Sequence, residues 1–269
     1  MQTTSIAIVV ATVVVGALAP PAAAWAQIDY RNLDSDRPVL VEDAYPIERY
    51  AFELLVPYRA EREGDGTVHL FLPELEYGIV ANAHVGVKLP VAALDAAGTT
   101  DVAISGLKVF AQYNFNTEAL MLPALALRAD ATFPVGAFGG SHTRVTFKGI
   151  ATRSFGLTRL HVNGAYTVGS EGTPAVAEAA PTWWTGVAID RTLFRESVLL
   201  IAEGYVLRQA TGEAVQVNAS AGIRYQWQPT MVIDVGVSRR LRADGPDWAV
   251  TFGISKAFAV PWLMPGVGR

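Results

Sequence analysis

Apolar and polar residues alternate along much of this chain, most clearly in its last third. Val215, Val217, Ala219, Ala221, Ile223 and Tyr225 form one row, with Gln216, Asn218, Ser220, Gly222 and Arg224 between them. Ile233, Val235 and Val237 alternate with Asp234, Gly236 and Ser238, and Trp248, Val250, Phe252 and Ile254 with Ala249, Thr251, Gly253 and Ser255. A period of two is the strand period, because successive side chains leave opposite faces. Each run has the length of roughly 9–11 residues that a tilted strand needs to cross a bilayer.

Twelve such segments follow one another: Tyr50–Arg59, His69–Tyr77, Ala83–Val91, Val102–Phe115, Ala124–Phe133, Thr143–Arg153, Arg159–Val168, Thr182–Asp190, Val198–Arg208, Ala214–Tyr225, Met231–Arg240 and Trp248–Phe258. The pattern predicts an all-β transmembrane antiparallel β-barrel of outer-membrane type, with about twelve strands. An even count returns both ends to one side of the membrane. Short links at 79–82, 116–118, 156–158 and 226–230 are expected as periplasmic turns. The longer links Ala60–Val68, Ala92–Asp101, Pro134–His142, Gly169–Pro181 and Leu241–Asp247 are expected as outer loops. A soluble β-sandwich also alternates, but its strands average about five or six residues.

Charge sets the register. A base on the lipid face near the midplane costs roughly 2–4 kcal/mol, so charged mid-strand residues point inward. The expected lining is Glu53, Glu74, Glu76, His84, Lys88, Lys108, Arg128, Asp130, Arg144, Lys148, His161, Glu203, Arg224, Asp234 and Arg240, joined by Gln112, Asn163, Gln216 and Asn218. Six of these are acids and seven are Lys or Arg, so the set does not form a funnel of one sign. It reads either as a salt-bridged filling or as a narrow polar pathway. The aromatics Phe52, Tyr58, Phe71, Tyr77, Tyr113, Phe133, Phe147, Tyr166, Trp184, Tyr225, Trp248 and Phe258 are expected outside, where rings favour the membrane–water boundary. One of the adjacent Trp183 and Trp184 should nevertheless turn inward.

Composition fits this picture. Of 269 residues, 51% are hydrophobic and 17% charged, yet no internal apolar run approaches the roughly 18 residues of a membrane helix. There is no cysteine, and the net charge of −4 is too small to argue for nucleic acid or a polyanionic partner, so no nucleic-acid partner is expected. Residues 1–26 have the form of a secretory signal peptide. Ile6–Leu18 is its apolar core, Pro20 and Pro21 break it, and Ala24-Trp25-Ala26 offers a cleavage site, although Met1–Ser5 carries no base. Export to a Gram-negative outer membrane is the expectation. Residues 27–48 then form a polar periplasmic lead-in that braces or partly plugs the barrel, 49–258 the barrel, and 259–269 a tail.

Within the lead-in, the tract Leu33-Asp34-Ser35-Asp36-Arg37-Pro38, followed by Tyr50-Ala51-Phe52-Glu53, resembles the opening of the family called MetA-pathway of phenol degradation. Gly106-Leu107-Lys108, Leu122 to Leu127 and Pro246-Asp247-Trp248 also resemble it, over a reach from Asp34 to Phe258. The chain departs from that pattern at Ile47-Glu48-Arg49, where a glycine is usual, and in continuing past Phe258. The resemblance implies an outer-membrane transporter of small solutes, hydrophobic or aromatic ones included.

No cofactor or metal site is expected, because His69, His84, His142 and His161 are scattered. Ser141-His142 are sequence neighbours in a loop, which is poor geometry for a nucleophile and its base. The expected partners are outer-membrane lipid and a small-molecule solute, and the oligomeric state is left open. The readings carried forward are a channel, a closed structural or adhesive barrel, and a lipid-modifying enzyme.

Overall fold

The computed structural model describes residues 26–269 except 97, 170–180, 195–196, 210–213, 244 and 265–269. The signal sequence and the cleavage site's first two residues lie outside the described residues. The chain forms β1 (Ala51–Glu63), β2 (Gly66–Phe71), β3 (Glu74–Val80), β4 (Ala83–Lys88), β5 (Val91–Ala96), β6 (Thr99–Ile104), β7 (Leu107–Asn116), β8 (Ala124–Phe133), β9 (Arg144–Phe155), β10 (Thr158–Val168), β11 (Pro181–Leu193), β12 (Val198–Gln209), β13 (Val215–Gln228), β14 (Met231–Arg242) and β15 (Trp248–Ala259). All pair antiparallel, and β15 closes on β1 from Ala51↔Ala259 to Arg62↔Trp248. Closure removes the exposed edges that a lipid environment cannot satisfy.

The barrel has twelve crossings, because three of them are interrupted strands: β2–β3, β4–β5 and β6–β7. The interruptions lie side by side at Leu72-Pro73, Leu89-Pro90 and Ser105-Gly106. Proline has no N–H for the ladder. The neighbouring residues keep the strands joined: Leu72 N–H donates to Pro57 O, Leu89 N–H to Pro73 O and Ser105 N–H to Pro90 O, each at 2.9 Å. Gly106, at φ 111°, donates to Val135 O at 2.8 Å.

Burial alternates along the strands, as in β10 and β11. Outward-facing Leu127, Val187, Ile189, Ile223, Val235 and Phe252 are exposed and form an apolar band. That band is the surface a barrel presents to lipid. Phe52 stacks on Tyr77 at 4.5 Å and on Phe258 at 5.4 Å between ring centroids.

Three expectations need correction. The links Ala60–Val68 and Ala92–Asp101 are not loops. β1–β2 and β5–β6 run on as paired hairpins, turning at Gly64 (φ 55°) and Gly98 (φ 82°). In these hairpins residues on both strand faces are partly or fully exposed, so polar residues such as Arg62, which donates to Thr67 Oγ1 at 3.2 Å, do not signal a loop. Conversely, the tight turn expected at 116–118 extends to Pro123, because β8 starts at Ala124. Finally, Trp184 is buried inside the barrel rather than facing lipid.

Candidate functional site: the occupied lumen

Residues 26–50 enter the lumen, rise to a turn at Asp34–Arg37 and descend to β1. At the periplasmic end, Ile28 N–H donates to Pro229 O at 3.0 Å and Gln226 Nε2 donates to Ile28 O at 2.9 Å. At the turn, Asp36 has φ 71° and Arg37 N–H donates to Asp34 O at 3.3 Å. The physical reason is complementarity: a polar segment with its own charges satisfies an inward face that would otherwise hold buried ions alone.

The wall grips this plug residue by residue. Glu203 accepts from Leu40 N–H at 3.0 Å and from Val41 N–H at 2.9 Å. Asn163 accepts from Glu42 N–H at 2.8 Å and donates to Glu42 O at 2.9 Å. The Glu42 carboxylate meets Lys148 Nζ at 2.6 Å and Arg128 Nη1 at 3.4 Å. Asn114 donates to Ala44 O at 2.8 Å, and Ile47 N–H lies 3.3 Å from His84 Nδ1. Pro38 packs against Gly222 and Gly236; a Cβ at position 236 would lie 2.7 Å from Pro38 Cβ, and one at Gly222 closer still. These two glycines leave the width that the segment needs.

Higher up, Lys88 Nζ contacts Asp36 at 3.1 Å and Glu74 at 2.8 Å. Arg37 contacts Asp34 at 2.7 Å and Asp234 at 3.6 Å, while Arg224 reaches Asp34 at 3.6 Å. Arg128 also contacts Asp130 at 3.1 Å and sits 3.6 Å above the Phe110 ring. Near the periplasmic end, Arg159 bridges Asp190 at 2.6 Å and Asp43 at 3.1 Å. At the turn after β7, Glu118 accepts from Tyr45 Oη at 2.9 Å and from Ser154 N–H and Oγ, each at 2.8 Å. Those three bonds outweigh burial, which acts in the opposite sense, and hold the Glu118 carboxyl below its ordinary range.

The plug leaves two cavities. One of about 580 Å³ opens at the outer end and is floored by Ser35, Asp36 and Leu40; another of about 880 Å³ opens at the periplasmic end beside Ile28, Tyr45 and Glu48.

A family model described as "Putative MetA-pathway of phenol degradation" matches residues 52–258. The chain belongs to this family. No curated protein matches it. Among solved structures, the COG4313 outer membrane channel from Pseudomonas putida F1 is similar at TM-score 0.61 and 11% identity, over 80% of this chain and 98% of that one. The KdgM porin is similar at TM-score 0.53 and 14% identity, over 76% and 99%. The NanC porin is similar at TM-score 0.51 and 7% identity, over 78% and 100%. At these identities the likeness concerns the fold, which is that of outer-membrane barrels.

In this MetA-pathway family member, thirteen of the fifteen residues expected in the lining are buried: Glu53, Glu74, Glu76, His84, Lys88, Arg128, Asp130, Arg144, Lys148, His161, Glu203, Arg224 and Asp234. Lys108 and Arg240 are half-buried on the wall of the outer cavity. They do not converge on one centre. Glu203, Lys148, Arg128, Lys88 and Asp234 hold the plug, whereas Arg240 pairs with Asp247 near the outer rim. Sequence reasoning missed Arg59, Arg159 and Asp190 on the strands and Glu42 and Asp43 in the plug. Arg159, Asp190 and Arg59 fell at the ends of expected strands, where the inward argument is weakest. The Asp43–Arg159 contact links residues 116 apart in sequence.

One arrangement has the outline of a catalytic relay. Thr152 Oγ1 lies 3.0 Å from His161 Nδ1, and His161 Nε2 lies 3.0 Å from Asp190 Oδ2. Both Thr152 and His161 are 0% exposed, and Thr152 accepts from the plug's Ala44 N–H at 3.0 Å. A nucleophile needs access to its substrate. Here the group is a buried strut that carries the plug.

Proposed function

We propose that this barrel is an outer-membrane channel for passive passage of small solutes, hydrophobic or aromatic ones included, whose conductance is set by its amino-terminal plug. The observation that carries the reading is the form of the obstruction. The lumen is occupied by one continuous segment held through hydrogen bonds and ion pairs, with a cavity at either end of it. A barrel filled for stability alone can use side chains from its own wall. Lys88, Lys108, Arg128, Glu74, Glu76, Glu203, Arg224 and Asp234 line the path that the plug interrupts, and shifting the segment would expose them to the solute. The family and the porin-type fold support passage, and the solute class follows the family name alone.

The test is deletion of residues 27–47 behind an intact export signal. In planar bilayers the full chain should give small steps, and the deletion variant steps several-fold larger. Equally flat currents from both, with no uptake defect in cells lacking the protein, would favour a closed structural or adhesive barrel. The extent of ion pairing between plug and wall is the observation on that side.

A further inference from the structure

Taken together, the lining acids and bases nearly balance, and the fold gathers seven of the bases round one end of the lumen. The outer cavity is faced by seven bases (Arg59, Lys88, Lys108, Arg128, Arg144, Lys148 and Arg240) and four acids (Asp36, Glu61, Glu63 and Asp130). Glu42 and Glu74 pair with Lys88, Arg128 and Lys148, Arg59 pairs with Glu61 at 2.7 Å and Arg240 with Asp247, so the row of Lys108 and Arg144 is where the proposal places its anion. Three of the bases share one cross-strand row. Lys88 stands opposite Lys108, Lys108 opposite Thr132, and Thr132 opposite Arg144. Like charges facing each other across a strand pair are destabilising, and the Asp36 carboxylate at the plug tip, 3.1 Å from Lys88 Nζ, is set against that row.

Part of the same cavity's wall is apolar, beside the polar Gln209, Gln216 and Asn218. Leu40 of the plug and Trp184, Tyr205 and Leu207 of β11 and β12 line it. Lys148 Nζ lies 5.4 Å from the Trp184 ring centroid, so the two faces meet there. A cavity of about 580 Å³ is within the size range of small-molecule sites, which combine apolar walls with a few placed polar groups.

We infer that the outer vestibule is a binding site for amphipathic monoanions. The ligand's carboxylate lies against the Lys108–Arg144 row, and its aromatic or short aliphatic body lies on Leu40, Trp184, Tyr205 and Leu207. Asp36 acts as the internal anion that the solute's carboxylate displaces as it moves inward. This deepens the channel reading and rests on it, because the ligand is the solute that would pass.

The experiment measures binding without transport. The full chain in zwitterionic nanodiscs is titrated calorimetrically with 4-phenylbutyrate, with the neutral 4-phenylbutanol and with ringless butyrate, and empty nanodiscs are subtracted. The expected result is 4-phenylbutyrate binding about tenfold more tightly than either, the scale of one charge-assisted hydrogen bond. Raising salt should weaken the carboxylate and leave the alcohol unchanged. The pair Lys108→Gln and Arg144→Gln should bring 4-phenylbutyrate to the alcohol's level, while Trp184→Leu should weaken both phenyl compounds.

Equal affinity for acid and alcohol, no salt dependence with the unaltered protein, or no binding at all would overturn the site. Each of those results would leave the channel reading to be judged separately by the conductance of the plug deletion. Heat-modifiable migration on gels checks that the variants fold.

Discussion

Glu203 is the residue whose loss should most directly loosen the plug. Its carboxylate accepts two backbone N–H groups, Leu40 at 3.0 Å to both oxygens and Val41 at 2.9 Å. Hydrogen bonds to a charged partner contribute about 1.5–3 kcal/mol each, and an orphaned buried donor costs about 1–3 kcal/mol. Water entering the space left by Glu203→Ala offsets part of that. A net shift of about 2–4 kcal/mol in the plug's seated–released equilibrium remains, which is about 30- to 700-fold at 1.4 kcal/mol per tenfold. Glu203→Gln keeps an acceptor but loses the charge, so it should fall between Ala and the parent. The assay is open probability in single-channel recordings, read beside heat-modifiable migration to confirm a closed barrel. Unchanged open probability in folded Glu203→Ala would refute the claim that these two bonds hold the plug. An effect of Gln equal to that of Ala would refute the charge-assisted part of it.

The glycines under Pro38 make a second test: Gly222→Val should displace the segment and raise conductance, whereas Gly204→Val, where a Cβ meets nothing closer than 4.0 Å, should not. At the periplasmic turn the depressed Glu118 carboxyl favours the folded attachment. That contribution is fully present above the unfolded value of about 4.3 and is lost as pH falls through the lower folded value. Amide-exchange protection at Ser154 should therefore be flat from pH 8 to 5 and decline only in stronger acid, and Glu118→Gln should remove the acid-dependent part; a decline beginning near neutrality would contradict this. Inside the wall, the Phe110 ring covers Gly86 and carries Arg128 at 3.6 Å. Phe110→Ala should cost about 3–5 kcal/mol, the usual range for emptying a buried aromatic site, read as a lower thermal unfolding midpoint. An unchanged midpoint would mean that the ring is not a packing element.

Strand identity was legible in the chain because period-two alternation is a local property, and the cost of a charge in lipid fixes which face turns inward. Ala124–Phe133 coincides with β8, and residues such as Arg224 and Asp234, opposite each other in register, could be assigned to the inner face from alternation together with their charge. The absence of a long internal apolar run also spoke against a membrane helix within the barrel region. What the sequence left undecided depends on distant partners. Trp184 shares β11's inner row with Gly186, Ala188 and Asp190, and only the fold shows that Val41, far back in the plug, is what it packs against. Pro57, Pro73 and Pro90 look unrelated until pairing brings them into neighbouring strands. The lumen's charges read as a balanced list along the chain, and only closure of β15 on β1, with the amino-terminal segment threaded inside, decided which of them pair and which line the outer cavity. Alternation needs only neighbouring residues, whereas ion pairing and cavity shape arise from closing the ring.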